Sequence, residues 1–308
     1  MKKGFWTAGA LCLTIGIVLF VVGGFFSSGS KDYQTVERSF SGGIRGISID
    51  CSAEDVYLRP STDNQYHVFC SGSEETEFSI EVIEGILTVT SDQEFLENLA
   101  AWDFGNQAKI TVQLPVGNSV VPLESVTVST ASGDVLAAEK LLLRRCEITT
   151  ASGDVSFRAA VQGRMRIEST SGDIFVEDPS KTPAYEFILS STSGDLTLKG
   201  QTVSAIVVES TSGDMLLEDC EFGTLTANSV SGEIDLAGVD AEECYIQTAS
   251  GDVSAGLRRG MDFHCSSTSG DIEMPASVSG GLCQIDTTSG DIKVWIYSRN
   301  SVSQSDQK

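Results

Sequence analysis

A regular column of carboxylates is the feature of this sequence with the most evident capacity for chemistry. The tripeptide Ser-Gly-Asp, in one copy Ser-Gly-Glu, ends at Asp134, Asp154, Asp173, Asp195, Asp214, Glu233, Asp252, Asp271 and Asp291. Such carboxylates could bind calcium between neighbouring copies, or each could hydrogen-bond backbone at a corner of the chain. Each copy supplies a single acid, and the shorter, glycine-rich calcium-binding coil repeat is absent from the sequence. We therefore expect corner-capping acids and no cofactor, with structural calcium as the alternative.

Seven cysteines follow the first thirty residues, and their odd number argues against a complete disulfide framework. Cys244 and Cys283 occupy the same position in their copies. Counted in chain order they are two copies apart, about 9.6 Å for stacked strands, so we predict buried thiols for both and for Cys265. Cys51 and Cys70 could stack in neighbouring coils, and their disulfide is left open. No Cys-x-x-Cys occurs, which argues against zinc and thioredoxin-like chemistry.

The two histidines, His67 and His264, lie at positions predicted to face outward, with no acid and nucleophile in phase beside them. The outward column seven positions before each acid is chemically mixed and contains no acid–base cluster. The sequence therefore predicts no catalytic, cofactor-binding or metal-ligating residue, and a protein that is not an enzyme. In that column, Ile188, Val207 and Tyr245 could form a modest apolar strip.

The elements that position these residues follow from the pattern inside each copy. Counted from the acid, positions −8 and −6 are apolar or cysteine, position −4 is Ser or Thr, and apolar residues resume at +1 and +3. A slip of one residue exchanges the two faces of a strand. The chain must therefore turn a corner at the Gly-Asp step, where glycine tolerates unusual backbone angles. Stacked copies then form an all-β fold, a parallel β-solenoid of about 19–20-residue coils.

The solenoid of regular repeats is predicted for residues 126–297, after an N-terminal β region at 44–125. In that region residues 47–58 fit a weaker copy of the repeat. Further strands are predicted at 66–70, 78–82, 86–90 and 110–114. The cap-like segment 92–106 has apolar residues at helical spacing, which predicts a cover for the solenoid or, alternatively, a docking helix for a partner protein. Residues 31–43 are predicted to be a linker and 298–308 a disordered tail.

Residues 1–30 are predicted to be a cytoplasmic stub and a transmembrane anchor. The 22 residues from Phe5 to Phe26 carry no charge, and about 20 apolar residues span a bilayer as a helix. A cleavable signal peptide is the competing interpretation, but its apolar core usually has only about 7–15 residues. Because Lys2 and Lys3 precede the apolar run, the positive-inside rule predicts a single-pass protein of the cell membrane with a cytoplasmic N-terminus and an extracytoplasmic bulk.

The composition narrows the range of partners. Among 308 residues, 43 acidic and 20 basic side chains give a formal net charge of −23. Such a surface repels phosphate backbones, which argues against nucleic-acid binding, and it disfavours peripheral docking onto anionic lipid. The expected partners are the membrane, through the N-terminal helix, and an envelope protein or a cell-surface polymer.

Three sequence features occur together: the Ile47-Ser-Ile-Asp opening, the Ile110-Thr-Val-Gln-Leu-Pro115 strand and the Thr-x-Ser-Gly-Asp-Ile-x-Val repeats. In these features the chain resembles the bacterial putative-adhesin family of β-strand-repeat envelope proteins, a domain family of unknown function, over roughly residues 44–297. The resemblance implies an extracytoplasmic β-solenoid and a role in adhesion. It implies no catalytic residues.

These observations predict a membrane-anchored, extracytoplasmic β-solenoid that acts by binding, as a non-enzymatic, adhesin-like module. One alternative is a regulatory partner in a cell-envelope stress-response system, which would contact membrane partners through the anchor and residues 95–104. A third interpretation is a carbohydrate-active β-helix enzyme.

Overall fold

The computed structural model of the protein describes residues 33–73, 76–92, 108–117, 121–278 and 280–297, and over these ranges the chain forms 24 β-strands. The N-terminal strands are β1 (Tyr33–Phe40), β2 (Gly46–Cys51), β3 (Asp55–Pro60), β4 (Tyr66–Ser73), β5 (Glu77–Ile83), β6 (Ile86–Asp92) and β7 (Lys109–Leu114). The strands of the regular repeats are β8 (Ser125–Thr130), β9 (Val135–Ala137), β10 (Leu142–Thr150), β11 (Val155–Phe157), β12 (Ala160–Ser169), β13 (Ile174–Glu177), β14 (Ala184–Ser191), β15 (Leu196–Lys199), β16 (Thr202–Ser210), β17 (Met215–Glu218), β18 (Glu221–Ser229), β19 (Ile234–Thr248), β20 (Val253–Leu257), β21 (Asp262–Ser267), β22 (Ile272–Glu273), β23 (Leu282–Thr287) and β24 (Ile292–Ile296).

Each repeat contributes one strand before its Ser-Gly-Asp corner and one shorter strand after it, which confirms the predicted parallel β-solenoid. The strands before the corners pair in parallel and form the first sheet; those after the corners form the second sheet. The long strand β19 serves both, because its start pairs in the second sheet and its end in the first. The strands predicted within residues 66–114 are confirmed as β4, β5, β6 and β7.

The core consists of ladders of side chains that stack in register from coil to coil. One such ladder, eight residues before each acid, runs in spatial order through Val126, Cys146, Met165, Phe187, Ile206, Leu225, Cys244, Cys283 and Phe263. All of them are buried. Burying one such aliphatic side chain contributes about 1.5–3 kcal/mol, so repetition of the same inward positions accounts for the stability of the stack.

The spatial order of the coils departs from the chain order at the C-terminal end. Strand β23 pairs with β19 on one side and with β21 on the other, and β24 lies between β20 and β22 in the same way. The last repeat is therefore inserted between the penultimate repeat and the coil that precedes it in the chain. The prediction that Cys244 and Cys283 lie two coils apart is wrong, because it assumed that the coils stack in chain order.

The N-terminal end also departs from chain order, and it ends in antiparallel strands. Strands β2 and β3 lie between the β8–β9 coil and the β6–β7 coil. Beyond them, β5 pairs antiparallel with β6, while β4 pairs antiparallel with both β7 and β1. The segment 31–43, expected to be a linker, thus contributes the edge strand β1.

Several predicted segments lie outside the described residues: the anchor at 1–30, nearly all of the cap-like segment 92–106, and the tail at 298–308. Within the described ranges, the structure contains no helix with the length and hydrophobicity that a membrane span requires.

Candidate functional site

The corner glycines are required by close packing between coils. No corner glycine has a positive φ, so the predicted role of unusual backbone angles is wrong. A Cβ on Gly153 would instead overlap the carbonyl oxygen of Gly133 in the neighbouring coil. The residue at position −4 completes the corner: the Gly153 amide donates to Thr150 Oγ1 at 3.0 Å, and the Gly213 amide donates to Ser210 Oγ at 2.8 Å.

The column of acids forms a hydrogen-bonded ladder along the corner. The backbone amide of Asp195 donates to Oδ1 of Asp173 at 2.8 Å, and the same bond links most successive corners, beginning with Oδ1 of Asp55. At the C-terminal end it follows the spatial order, because the amide of Asp271 donates to Oδ1 of Asp291. These geometries support the corner-capping interpretation. Across the described residues, no group of three or more His, Cys, Asp or Glu is placed to hold a metal ion.

The seven cysteines of the described ranges are free thiols, and all but the half-buried Cys265 are buried. Cys51 and Cys70, whose disulfide the sequence left open, are not bridged. Burial raises the pKa of the Cys70 thiol to about 12 and that of the Cys265 thiol to about 11. Cys244 and Cys283 are direct register partners in neighbouring strands. The neighbouring Cys283 thiol, together with burial, holds the pKa of Cys244 well above its usual value.

A groove of about 860 Å³ crosses the stack where the strands of the first sheet begin. It spans five consecutive coils, which contribute Pro183, Ser204, Gly223, Glu242 and Gly281 to its lining. A Cβ on Gly223 would overlap the carbonyl oxygen of Ser204. The glycine therefore lets the two coils approach closely and leaves that part of the floor without a side chain.

The walls of this groove are acidic. Four carboxylates line it, and two of them are neutralised by ion pairs: Asp240 with Arg259, and Glu221 with Arg258. The other two, Glu242 and Glu243, are exposed, and no described cation is within ion-pair distance of either. The Tyr245 hydroxyl donates to Glu243 Oε2 at 3.3 Å, and the Glu243 charge raises the pKa of Tyr245. The groove therefore presents two unpaired carboxylates to solvent.

The apolar strip predicted on the outward column exists in a modified form. Ile188, Val207, Thr226 and Tyr245 are in register on neighbouring strands, and each is half-buried. The strip runs beside the groove, since Tyr245 contacts the groove residue Glu243. A second, smaller cavity of about 370 Å³ lies near the N-terminal end, lined mainly by apolar residues such as Leu114, Pro122 and Leu141.

His67 has the two partners that sequence reasoning did not find. Its Nδ1 lies 2.8 Å from the Ser39 hydroxyl and its Nε2 lies 2.8 Å from Asp63 Oδ1. The prediction that no acid and nucleophile converge on this histidine is therefore wrong. Ser39 was missed because it belongs to β1, although Val36 and Phe40 in that segment have the spacing of a strand. Within the described part of the chain, the one hydrogen-bond partner of the His264 ring is Asp262, at 3.3 Å.

Comparisons with known proteins agree with this architecture. A model of the family described as Toastrack DUF4097 matches residues 44–185 and 179–306. No curated protein matches the chain.

The chain is also similar to solved structures at low sequence identity. A putative lipid binding protein from Parabacteroides distasonis is 18% identical, with a TM-score of 0.52 over 86% of this chain and 98% of that chain. A putative adhesin from Bacteroides fragilis is 16% identical, with a TM-score of 0.42 over 85% of this chain and 97% of that chain.

Proposed function

We propose, from the premise that the chain belongs to the Toastrack DUF4097 family, that it is a non-enzymatic, adhesin-like binding module. Its anchor at residues 1–30 would hold it in the cell membrane, and the solenoid would be displayed outside the cell. The single observation that carries the binding role is the groove across five coils. Its shape is set by the backbones of paired strands, so a ligand meets a surface that is already formed and need not be ordered on binding.

The charge of the groove limits the class of ligand. Glu242 and Glu243 can accept hydrogen bonds from hydroxyl and ammonium groups, and charge-assisted bonds of this kind are roughly twice as strong as neutral ones. An anionic polymer would be repelled, because the chain as a whole carries −23. The groove therefore fits a neutral or amine-bearing polymer, such as a glycan with free hydroxyl and amino groups.

Binding of three soluble polymers to the full chain, purified in detergent, tests this proposal. We expect a chitosan oligosaccharide, which carries amines, to bind more tightly than its N-acetylated counterpart, and polyphosphate not to bind. The double variant Glu242→Gln/Glu243→Gln should weaken chitosan binding about tenfold, which corresponds to about 1.4 kcal/mol. The matched control is Glu147→Gln, an exposed acid of the same sheet outside the groove. Equal binding by the double variant and the wild type would overturn the proposed site.

Protease treatment of intact cells tests the proposed topology separately. We expect added protease to remove residues 31–308 while a cytoplasmic control protein survives. Survival of that segment would overturn the extracytoplasmic location and leave the groove test unaffected.

Ser39, His67 and Asp63 favour a second candidate function, the hydrolysis of an ester. The Ser39 hydroxyl and His67 are within the reach required of a nucleophile and its base, and Asp63 fixes the ring of the histidine. Ser39 Oγ would attack the ester carbonyl while its proton passes to His67 Nδ1. The same proton would then leave on the departing alcohol, and water would release the acyl group by the reverse sequence. We rank this function second because none of the three residues lines the groove or the cavity.

A fluorophosphonate probe distinguishes the two candidate functions, since it labels activated serines. Labelling of Ser39 in the wild type, together with its loss in His67→Ala, would support hydrolysis. Ser71→Ala serves as the control, because Ser71 lies on β4 together with His67 but has no hydrogen bond to the histidine. Absence of label on Ser39 would exclude hydrolysis by this serine and leave binding as the remaining candidate function.

A further inference from the structure

We propose that Cys244 and Cys283 are an oxidation site, where a low-molecular-weight disulfide converts the two thiols into a disulfide bond that fastens the inserted last repeat in place. The site lies at the point where β23 enters the stack beside β19. This inference does not depend on the proposed binding function.

The register of the two strands places the thiols in contact. Cys244 and Cys283 are direct partners in a parallel pair, and both side chains point into the core with no exposed surface. Neighbouring strands are about 4.8 Å apart, and disulfides need Cα atoms about 4.4–6.8 Å apart. A bridge can therefore form without a shift of the backbone register.

Among the strand pairs of the described ranges, no other cysteine has a cysteine as its register partner. Cys146 lies between Val126 and Met165 in its ladder. Cys265 is the register partner of Ile285, so it is diagonal to Cys283 at about 8 Å, beyond the reach of a disulfide. Cys265 is therefore the matched control: a half-buried thiol one coil away that cannot take part in the bridge.

An oxidant can reach the pair by opening of the terminal coil. Among the described residues, only the coil formed by β21 and β22 lies beyond Cys283 at the C-terminal end of the stack, and Phe263 is the register partner of Cys283 there. That coil pairs on one side only over the described residues, and its Ile272 side chain is 41% exposed. Segments with few buried contacts open more readily than the whole fold, so we expect reversible opening to expose Cys283 first.

The reaction balances in two exchange steps. Cys283 loses its proton to solvent, and its sulfur attacks the disulfide of the oxidant, whose other half leaves as a thiolate. Cys244 then loses its proton and attacks the Cys283 sulfur of the mixed disulfide, which releases the second thiolate. Two protein thiols are oxidised to one disulfide, and the disulfide of the oxidant is reduced to two thiols.

The bond would link β19 to β23, which are neighbours in the stack although the chain forms β20, β21 and β22 between them. Residues 245–282, which contain β20, β21 and β22, lie within the closed loop. A crosslink of this kind restricts the unfolded chain. Because it anchors β23 beside β19, it would hold the inserted repeat in place even while the terminal coil opens.

Incubation of the full chain with glutathione disulfide, followed by alkylation and peptide mass spectrometry, tests the inference. We expect a linked peptide pair containing Cys244 and Cys283, and a melting temperature at least 5 °C higher than that of the dithiothreitol-treated protein. Cys265→Ser should retain both the linked pair and the shift, whereas Cys283→Ala should lose both. Cys146→Ala shows what the loss of a buried thiol costs by itself.

Two outcomes would overturn the inference: complete alkylation of Cys244 and Cys283 after oxidation, or a linked pair that joins other cysteines. If Cys283→Ala does not fold, the mass spectrum of the wild type still decides, because it reports the linkage directly. Loss of glycan binding bears on the groove alone, so failure of the proposed function and failure of this inference are distinguishable.

Discussion

The two ends of the solenoid differ in how their last parallel coil is covered. At the N-terminal end, β5 and β4 reverse direction and β1 forms an outer edge, so the last parallel coil, β6–β7, is covered in both sheets. At the C-terminal end, β21 and β22 repeat the corner sequence of the interior, and no described strand lies beyond them. Edge strands present unpaired backbone groups. The N-terminal end is thus covered by antiparallel strands. The C-terminal end is formed by a coil that has the sequence of an interior coil but pairs on one side only over the described residues.

This difference shows that burial in a solenoid depends on the next coil as much as on the residue itself. Ile174 and Ile272 occupy the same position after the corner, yet they are 1% and 41% exposed. The same contrast appears among the acids: the Asp173 carboxylate accepts a backbone bond from the next coil, whereas no described residue donates to that of Asp271. Matched substitutions in an interior coil and in the terminal coil can therefore measure what the neighbouring coil contributes.

The largest expected effect comes from the apolar ladder. Ile174→Ala should lower the free energy of unfolding by about 2–5 kcal/mol, because it leaves a cavity between two coils. Ile272→Ala should cost less than about 1 kcal/mol, because that side chain is already partly in water. Urea denaturation of the two variants checks this, and equal losses would show that the terminal coil is covered in solution.

A smaller contrast is expected at the corner glycines. Gly213→Ala should destabilise by about 1–3 kcal/mol, since its Cβ would overlap the Gly194 carbonyl between two fixed coils. Gly270→Ala meets the same overlap with Gly290, but the terminal coil can move outward. We expect thermal melts to show a smaller loss for Gly270→Ala. A larger loss there would contradict the freedom assigned to that coil.

In the acid ladder, the losses of folding free energy in an interior coil and in the terminal coil should differ by about 1 kcal/mol. Asp173→Ala removes the acceptor of the Asp195 amide, and a net hydrogen bond is worth about 0.5–1.5 kcal/mol. Asp271→Ala removes a carboxylate that caps no further coil, so its melting temperature should match that of the wild type. Added chelator should not change this contrast if the acids cap corners; a chelator-dependent contrast would instead favour structural calcium.

The smallest effect concerns the polar contacts of the N-terminal end. Hydrogen bonds from His67 and then Ser61 hold the pKa of the Asp63 carboxyl at about 2, below its ordinary value of 3.8. Because this pKa is lowered by folding, its stabilising contribution is present above pH about 4 and is lost as the pH falls towards 2. A carboxyl-carbon NMR titration should give a pKa near 2, and His67→Ala should raise it. An unchanged Asp63 pKa in His67→Ala would show that the histidine does not lower it.

Sequence periodicity predicted the solenoid well, because each coil repeats local rules. Apolar residues at −8, −6, +1 and +3 define which side chains point inward, and the stacked ladders confirm them. The purpose of the corner glycines was predicted incorrectly, since a glycine required by a positive φ and one required by close packing look alike in sequence. Gly223 and Gly281 of the groove stand ten residues before their acids, but so does Gly163 outside it, so this position alone does not predict the groove.

The order of the coils could not be predicted, because any coil with this pattern can stack on any other. Nothing in the columns distinguishes the neighbour of β19 from the strand after it, so the contact between Cys244 and Cys283 was missed for a physical reason. Ser39 and Asp63 were missed for a related reason: they reach His67 from an antiparallel strand and a loop, which do not follow the repeat.

The inserted last repeat limits how a protein of this type can change its length during evolution. In a stack built in chain order, a terminal coil can be gained or lost by duplication or truncation without disturbing the others. Here removal of β23 and β24 would leave a gap between β20 and β22, and an added coil after them would meet a position that β21 and β22 already occupy. We therefore expect gain or loss of repeats to be tolerated between β8 and β18, where chain order and spatial order agree.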